Sequence, residues 1–500
     1  MKKILLSISV VSILVFATGC KKDYLETSPT DKVSEEEIFS SIENANTALN
    51  GIYRFMFERT TVIDWNVQNK PGMGGILLAM DFMGEDLHIS SGNWYTVTGE
   101  GNWQGHRNDN HRLTEYYYRT LYKIIGDANS ILDNIDDIIA TDEQKNTVKA
   151  QALVLRAYAY SYLVQFYGER YDATKGINNQ LGVPLVLTAA DQVMPRVTVE
   201  EVYSSIVKDL DEAIAFDISA RTNKSMANRD VALGIRARVA LTMQDYESAI
   251  RYANQLIDQN EYTLMNQEDY MRGFNDANVL SEFIWASMPT QDQGDAFGSY
   301  FAQIAYNANT SFMRANPKRI NSALYDKISE TDIRKQIWEP EPDEVNFPLP
   351  LPSFARQPYM SRKFAIKAPG GSLGDVPLLR LSEMYLILAE AYASSNQDGL
   401  AQDALFEFVK VRDLEATKST NTGNVLLEEI WTHRRTELWG EGFRFLDLKR
   451  LNHPLDRAKT PNFVSSTVGG LMAVPIDDDR WQFLFPRPEL DANPEIVQND

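Results

Sequence analysis

Between Arg434 and Arg450 the sequence sets arginines and carboxylates three residues apart: Arg434 with Glu437, Glu441 with Arg444, and Asp447 with Arg450. On a helix such residues are neighbours, so each pair can close an ion pair. A catalytic acid and base would need one carboxyl held away from cations, so that its pKa rises. Here every carboxylate has an arginine beside it, and the pattern favours a structural network of Arg434, Glu437, Glu441, Arg444 and Asp447 over catalysis. Leu427, Trp431, Leu438, Phe445 and Leu448 share one helical side with Arg434 and Glu441. That predicts burial, and a buried ion is tolerated only when paired and hydrogen-bonded. Gly440 and Gly442 interrupt the stretch, each at a helix cost of about 1 kcal/mol, and predict a break or a close contact.

A second constellation suits recognition. From Thr61 to Arg112 helical periodicity fades, and Trp65, Trp94, Tyr95 and Trp103 alternate with polar residues. A sugar ring offers an apolar face that lies on an aromatic ring and a rim of hydroxyls for planar polar groups. Trp94, Tyr95 and Trp103, with Asn93, Asn102, Arg107 and Asp109, are therefore candidate ligand-binding residues; Tyr306 and Trp338 join them from a second irregular region. The competing expectation is that these tryptophans plug the loop onto the body, since large aromatics are more often buried than displayed. His106, Asp109 and His111 could be read as metal ligands, but no helix puts them on one face and no fourth ligand is evident, so no metal or other cofactor is expected. The chain has no G-x-S-x-G, H-E-x-x-H or G-x-x-x-x-G-K-[ST], and it is read as a non-enzyme. Two distant carboxylates acting on a glycoside remain the hydrolase alternative.

These residues need a scaffold, and the rest of the chain reads as helices. Ser34 and Glu37 suit a capping box before a first helix ending near Met56. Amphipathic stretches follow at Glu115 to Ile139, Gln144 to Tyr167 and Val197 to Phe216. In Val231 to Gln259, small and aromatic residues at Ala237, Ala240, Tyr246, Ala249 and Ala253 flank a turn at Gln244-Asp245, as in a tetratricopeptide hairpin. Leu388, Ala389, Tyr392 and Ala404 repeat the idea. Each helix pair needs neighbours to cover its face, which predicts an all-α, tetratricopeptide-like solenoid carrying long irregular loops. Residues 289–378, with Pro340, Pro342, Pro348, Pro350, Pro352 and Pro358, cannot be long helices.

The start of the chain is an address. Lys2 and Lys3, an apolar run from Ile4 to Phe16, and Ala17-Thr18-Gly19 before Cys20 form a signal peptide at 1–19 that places the only cysteine at a lipid-anchor position. Residues 20–33 read as a tether, with one continuous body beyond, divided into regions 34–235 and 236–500. Losing Lys2 and Lys3 would move the formal charge of −20 two units further negative. Such a surface repels polyanions unless basic groups cluster locally, so nucleic acid is excluded as a partner and sulfated or uronic-acid glycans are disfavoured.

Four stretches carry a resemblance. They are R-R-x-E-L-x-x-E-G-x-R-x-x-D-L-K-R at Arg434 to Arg450, R-A-x-A-Y-x-x-L-V-x-x-Y-G at Arg156 to Gly168, Val376 to Tyr385 with Ala389-Glu390-Ala391, and Pro486 to Asn499. Together with the anchor signal, their order resembles the SusD/RagB family of outer-membrane lipoproteins. The resemblance implies a protein lipid-anchored in the outer membrane and exposed at the cell surface. It would cap a SusC-like TonB-dependent transporter and deliver oligosaccharides to it without catalysing their breakdown; in the alternative case it would bind peptides or serve purely as the transporter's structural lid.

Overall fold

The computed structural model describes residues 38–59, 61–63, 68–92, 99–191 and 193–500. Cys20, Ser34, Trp65, Asn93, Trp94 and Tyr95 lie outside the described residues.

The longer helices are α1 (Ile42–Phe55), α2 (Gly72–Phe82), α3 (Arg112–Asn134), α4 (Asp142–Tyr167), α5 (Val199–Ala215), α6 (Arg229–Thr242), α7 (Tyr246–Ile257), α8 (Leu381–Ser394), α9 (Asp398–Arg412), α10 (Gly423–Glu437) and α11 (Arg444–Arg450). Local chemistry sets their starts. Thr141 with Gln144 and Thr198 with Glu201 form capping boxes on α4 and α5, while the side chains of Ser41, Asn228 and Asp245 cap α1, α6 and α7. The α6–α7 turn takes Gln244 to φ 60° and the α8–α9 turn takes Asn396 to φ 58°, a conformation that short polar side chains tolerate better than branched ones.

Helices α3 to α9 pack each on the next, and α10 closes on α8, so the predicted solenoid forms one continuous stack. The boundary at 235/236 falls inside α6 and is not a structural division. Small residues make the seams possible: a Cβ on Gly234 would come within 2.4 Å of Leu379. One helix escaped the sequence reading. In α2, every residue from Gly72 to Phe82 is buried, and a helix covered on all sides has no polar face to create a period.

Strands are short. The four-stranded sheet runs β1 (Leu87–His88), β5 (Arg319–Ile320), β7 (Met360–Ser361) and β6 (Trp338–Glu339), all antiparallel. The remaining strands pair as β2 (Leu181–Pro184) with β3 (Arg196–Thr198), β4 (Phe283–Ser287) with β8 (Val376–Arg380), and β9 (Leu455–Asp456) with β10 (Ala473–Val474). The four-stranded sheet positions the site, because it draws the first irregular region against the second.

The predicted break is real. Gly440 and Gly442 have φ of 84° and 88°, and a Cβ on Gly442 would stand 2.7 Å from the Leu77 Cα on α2. The stripe is one position off in α10, which buries Leu426, Ile430, Arg434 and Glu437 and leaves Leu427 and Trp431 half-buried.

Candidate ligand-binding surface

The charged cluster is buried and structural, but its pairing differs from the sequence expectation. Only Asp447 and Arg450 pair three apart, at 2.7 Å. Glu437 accepts from Arg380 at 3.0 Å and Arg412 at 3.1 Å, while Glu441 accepts from Lys363 at 2.6 Å and Arg380 at 2.7 Å. Arg434 turns to Asp447 at 2.8 Å, and Arg444 leaves the cluster for Glu85 at 2.9 Å. The break at residues 438–443 separates Glu441 from Arg444, while Arg434 and Glu437 share α10 and yet pair with Asp447, Arg380 and Arg412 from other elements. Burial would raise the Asp447 carboxyl, yet Arg434 and Arg450 outweigh it and hold the pKa at about 2. Glu437 and Glu441 are likewise held below the ordinary range by their cations against the push of burial. None of these three carboxyls has the raised pKa that a general acid needs.

Several expected ligand contacts are structural instead. Trp103 is fully buried; its Nε1 donates to the Met83 carbonyl at 2.9 Å, and its ring meets Phe445 and Trp481 edge-on. Trp338 is also buried, edge-on to Trp439. Both are core residues: Trp103 is buried with its N–H satisfied, whereas the Trp338 Nε1 is buried without a hydrogen-bond partner and its ring is held by packing alone. Arg107 donates to the Gln482 carbonyl at 2.7 Å and to that of Asp500, while Asp109 binds Arg487, so this pair fastens the C-terminal segment. Asn102 folds onto Gln104, accepting its N–H at 3.1 Å. His106 Nε2 faces the Arg480 carbonyl at 2.8 Å, and His111 Nδ1 accepts the Leu113 N–H to cap α3, so the two imidazoles serve separate contacts.

Tyr306 is different. Half-buried, it sets its ring edge-on to the buried Phe347 with centroids 5.5 Å apart. The half-buried Arg362 lies over the same Phe347 ring at 4.3 Å. Asn316 joins the two irregular regions. Its Oδ1 accepts the Ser91 N–H at 3.2 Å and the Ser91 hydroxyl at 2.7 Å, and its Nδ2 donates to the Gly92 carbonyl at 3.4 Å. The Ala355 N–H donates to the Arg314 carbonyl at 2.7 Å, tying the proline-rich run to the same turn. Asn93, Trp94 and Tyr95 follow Gly92 directly in sequence.

A cleft of ≈ 310 Å3 opens between the end of α1, the start of α2 and residues 287–301 and 373–376. Phe57, Pro71, Phe301 and Leu373 line it, and the Arg59–Asp295 ion pair sits in its wall with Nη2 to Oδ2 at 2.5 Å. Asp295 is fixed by the Phe297 and Gly298 N–H groups at 3.0 and 2.8 Å. Sequence reasoning missed Arg59, Asp295, Asn316, Phe347 and Arg362, whose roles arise from contacts between distant segments. The only available signal was their position in stretches without periodicity.

Comparison with known families decides the assignment. Residues 23–241 match a SusD-like family described as "Starch-binding associating with outer membrane", and residues 260–500 match the SusD family itself. The chain belongs to the SusD/RagB family. A SusD-like protein of Formosa agariphila is 26% identical over 98% of this chain and 97% of its own length. Among solved structures, a SusD superfamily protein of Bacteroides thetaiotaomicron superposes with TM-score 0.76 at 24% identity, covering 92% of this chain and all of its own. A laminarin-binding SusD-like protein superposes at TM-score 0.69 and 20% identity, covering 92% and 99%. At these identities the superpositions establish the SusD/RagB fold, a mostly helical body built on tetratricopeptide-like hairpins.

Proposed function

We propose that this SusD/RagB protein is a non-catalytic surface lipoprotein that binds oligosaccharides and passes them to a SusC-like TonB-dependent transporter of the outer membrane. One pair of observations carries the reading: the half-buried Tyr306 is braced on Phe347 within the second irregular region, and Asn316 of that region bonds Ser91 and Gly92, after which Asn93, Trp94 and Tyr95 follow in sequence. Loops held on a rigid scaffold are the usual carriers of recognition. The starch-binding description of the family and the laminarin-binding relative support a glycan as the ligand. Anchoring is assigned to Cys20, the only cysteine of the chain, which follows the signal-peptide pattern at 1–19.

The test is calorimetric titration with a panel of neutral and acidic oligosaccharides and short peptides. The protein should bind at least one oligosaccharide, and Tyr306→Ala and Trp94→Ala should each weaken binding about tenfold, as expected for a lost aromatic stack with its buried area. Binding of peptides alone, or unchanged affinity in both variants, would overturn the assignment. Incubation with the same panel should release no new reducing ends.

A further inference from the structure

The cleft between the end of α1, the start of α2 and residues 287–301 and 373–376 is lined by none of Tyr306, Asn316 and Phe347, so the glycan reading does not use it. Its ≈ 310 Å3 is about twice the cavity that holds one benzene ring and lies at the small end of the range for ligand pockets, about 300–1,000 Å3. Much of the wall is apolar. Met56, Tyr300, Phe301 and Val376 are buried residues of the core, while Phe57 and Leu373 are half-buried and, among the described residues, stand outside the set packed on that core. Glycine lets the wall close in, since a Cβ on Gly374 would stand 2.4 Å from the Phe301 ring and one on Gly74 3.1 Å from the Tyr300 Cβ.

The charges along the rim cancel. Arg59 pairs with Asp295 at 2.5 Å, the second Asp295 oxygen accepts the Phe297 and Gly298 N–H groups, and Arg54 pairs with Glu58. An ion entering this cleft would shed its hydration without meeting an uncompensated partner, and such a transfer is costly. Phe57, Ser287 and Gln293 also line an adjoining hollow, together with Asn50, Arg54 and Ser225. That hollow offers amide, hydroxyl and guanidinium groups beside the cleft, so the two spaces suit the two ends of an amphipathic molecule.

We infer that the cleft is a second binding site, for an uncharged aromatic group joined to a hydroxylated body. The ring lies among Phe57, Phe301 and Leu373, where edge-to-face contacts with the aromatic walls add to the burial of its area, and the body lies in the adjoining hollow. The site goes beyond the glycan reading and does not depend on it.

The experiment compares matched probes by calorimetry: methyl cinnamate, the cinnamate anion, the saturated analogue methyl 3-cyclohexylpropanoate, and cinnamoyl glucose. Methyl cinnamate should bind the wild-type chain about tenfold more tightly than the anion, which the self-compensated rim does not welcome, and roughly fivefold more tightly than the saturated ester, the range of a ring–ring contact. Phe57→Ala removes one ring of the wall and Leu373→Trp fills the cleft from its loop side, and each should weaken methyl cinnamate about tenfold. Neither side chain packs on the core, so both melting temperatures should stay close to wild type; if one variant fails to fold, the other decides. Cinnamoyl glucose should bind more tightly than methyl cinnamate, and no gain would overturn the hydroxylated body in the adjoining hollow. Binding of the anion or the saturated ester as tight as that of methyl cinnamate would overturn the ligand class. No binding of any probe, or wild-type affinity in both variants, would overturn the site itself while leaving the glycan reading, tested at Tyr306 and Trp94, intact.

Discussion

Trp103 and Tyr306 both come from irregular, aromatic-rich sequence, and the structure gives them opposite roles. Trp103 is sealed among Met83, Phe445 and Trp481, so Trp103→Ala should cost about 3–5 kcal/mol, the usual penalty for emptying a large aromatic site. Tyr306→Ala should leave the melting temperature within a few degrees of wild type while binding is lost. Differential scanning fluorimetry of the two variants checks the contrast, and equal destabilisation would show that Tyr306 is a core residue. Glu441→Ala removes the partner of both Lys363 and Arg380 in a buried place and should lower stability by about 3–5 kcal/mol, read as a drop in the urea midpoint. Composition cannot separate Trp103 from Trp94, because each stands beside asparagine and glycine in a stretch without period. What decides for Trp103 is the partner ring of Trp481, nearly four hundred residues away.

At the scale of elements, the solenoid was legible and the loops were not. Capping residues and small-residue spacing are local signals, so α4, α5, α6 and α7 lie close to where the sequence puts them. The helix α2 and the β1–β5–β7–β6 sheet depend on packing between distant segments, which leaves no periodic trace. The same limit explains the charged cluster: Arg380, Arg412 and Lys363 approach Glu437 and Glu441 from other elements, and spacing within Arg434 to Arg450 could not name them. The junction at Asn316 gives a prediction here. Asn316→Ala removes all three bonds to Ser91 and Gly92, so the Ser91 amide should exchange faster with deuterium while α4 and α8 keep their protection. Asn316→Asp retains the acceptor for Ser91 and should exchange nearly as wild type. Unchanged exchange in Asn316→Ala would show that the junction is held by other contacts.

For the whole molecule, acid response follows chiefly from the buried imidazoles of His88 and His106 and the half-buried one of His433. Burial is the first cause in each case and lowers His88, His106 and His433 to about 3. His433 Nδ1 accepts from Arg334 at 2.8 Å, and the Nδ1 atoms of His88 and His106 are buried without partners. In the unfolded chain these groups titrate near 6.5. Between about 3 and 6.5 the unfolded state therefore binds more protons, and stability falls as pH drops through that window. Asp81, raised to about 7 by burial, acts in the opposite sense between its ordinary value and 7, because the folded state then holds the extra proton. Burial also lowers His111 and His453 and raises Asp375 and Glu489, so five imidazoles against three carboxyls leave a net loss. The urea midpoint should fall between pH 7 and pH 5, and a rising midpoint would contradict the neutral, buried assignment.

The ligand should sit where the two irregular regions meet, and hydrogen–deuterium exchange with and without saturating oligosaccharide will show whether it does. Once the titration panel has supplied a ligand, protection is expected at Ser91–Gly92, at Tyr306 to Asn316 and at Val345 to Arg362, the segments that meet around Asn316 and Phe347. Protection confined to the solenoid helices α5 to α9, with those three segments unchanged, would contradict it.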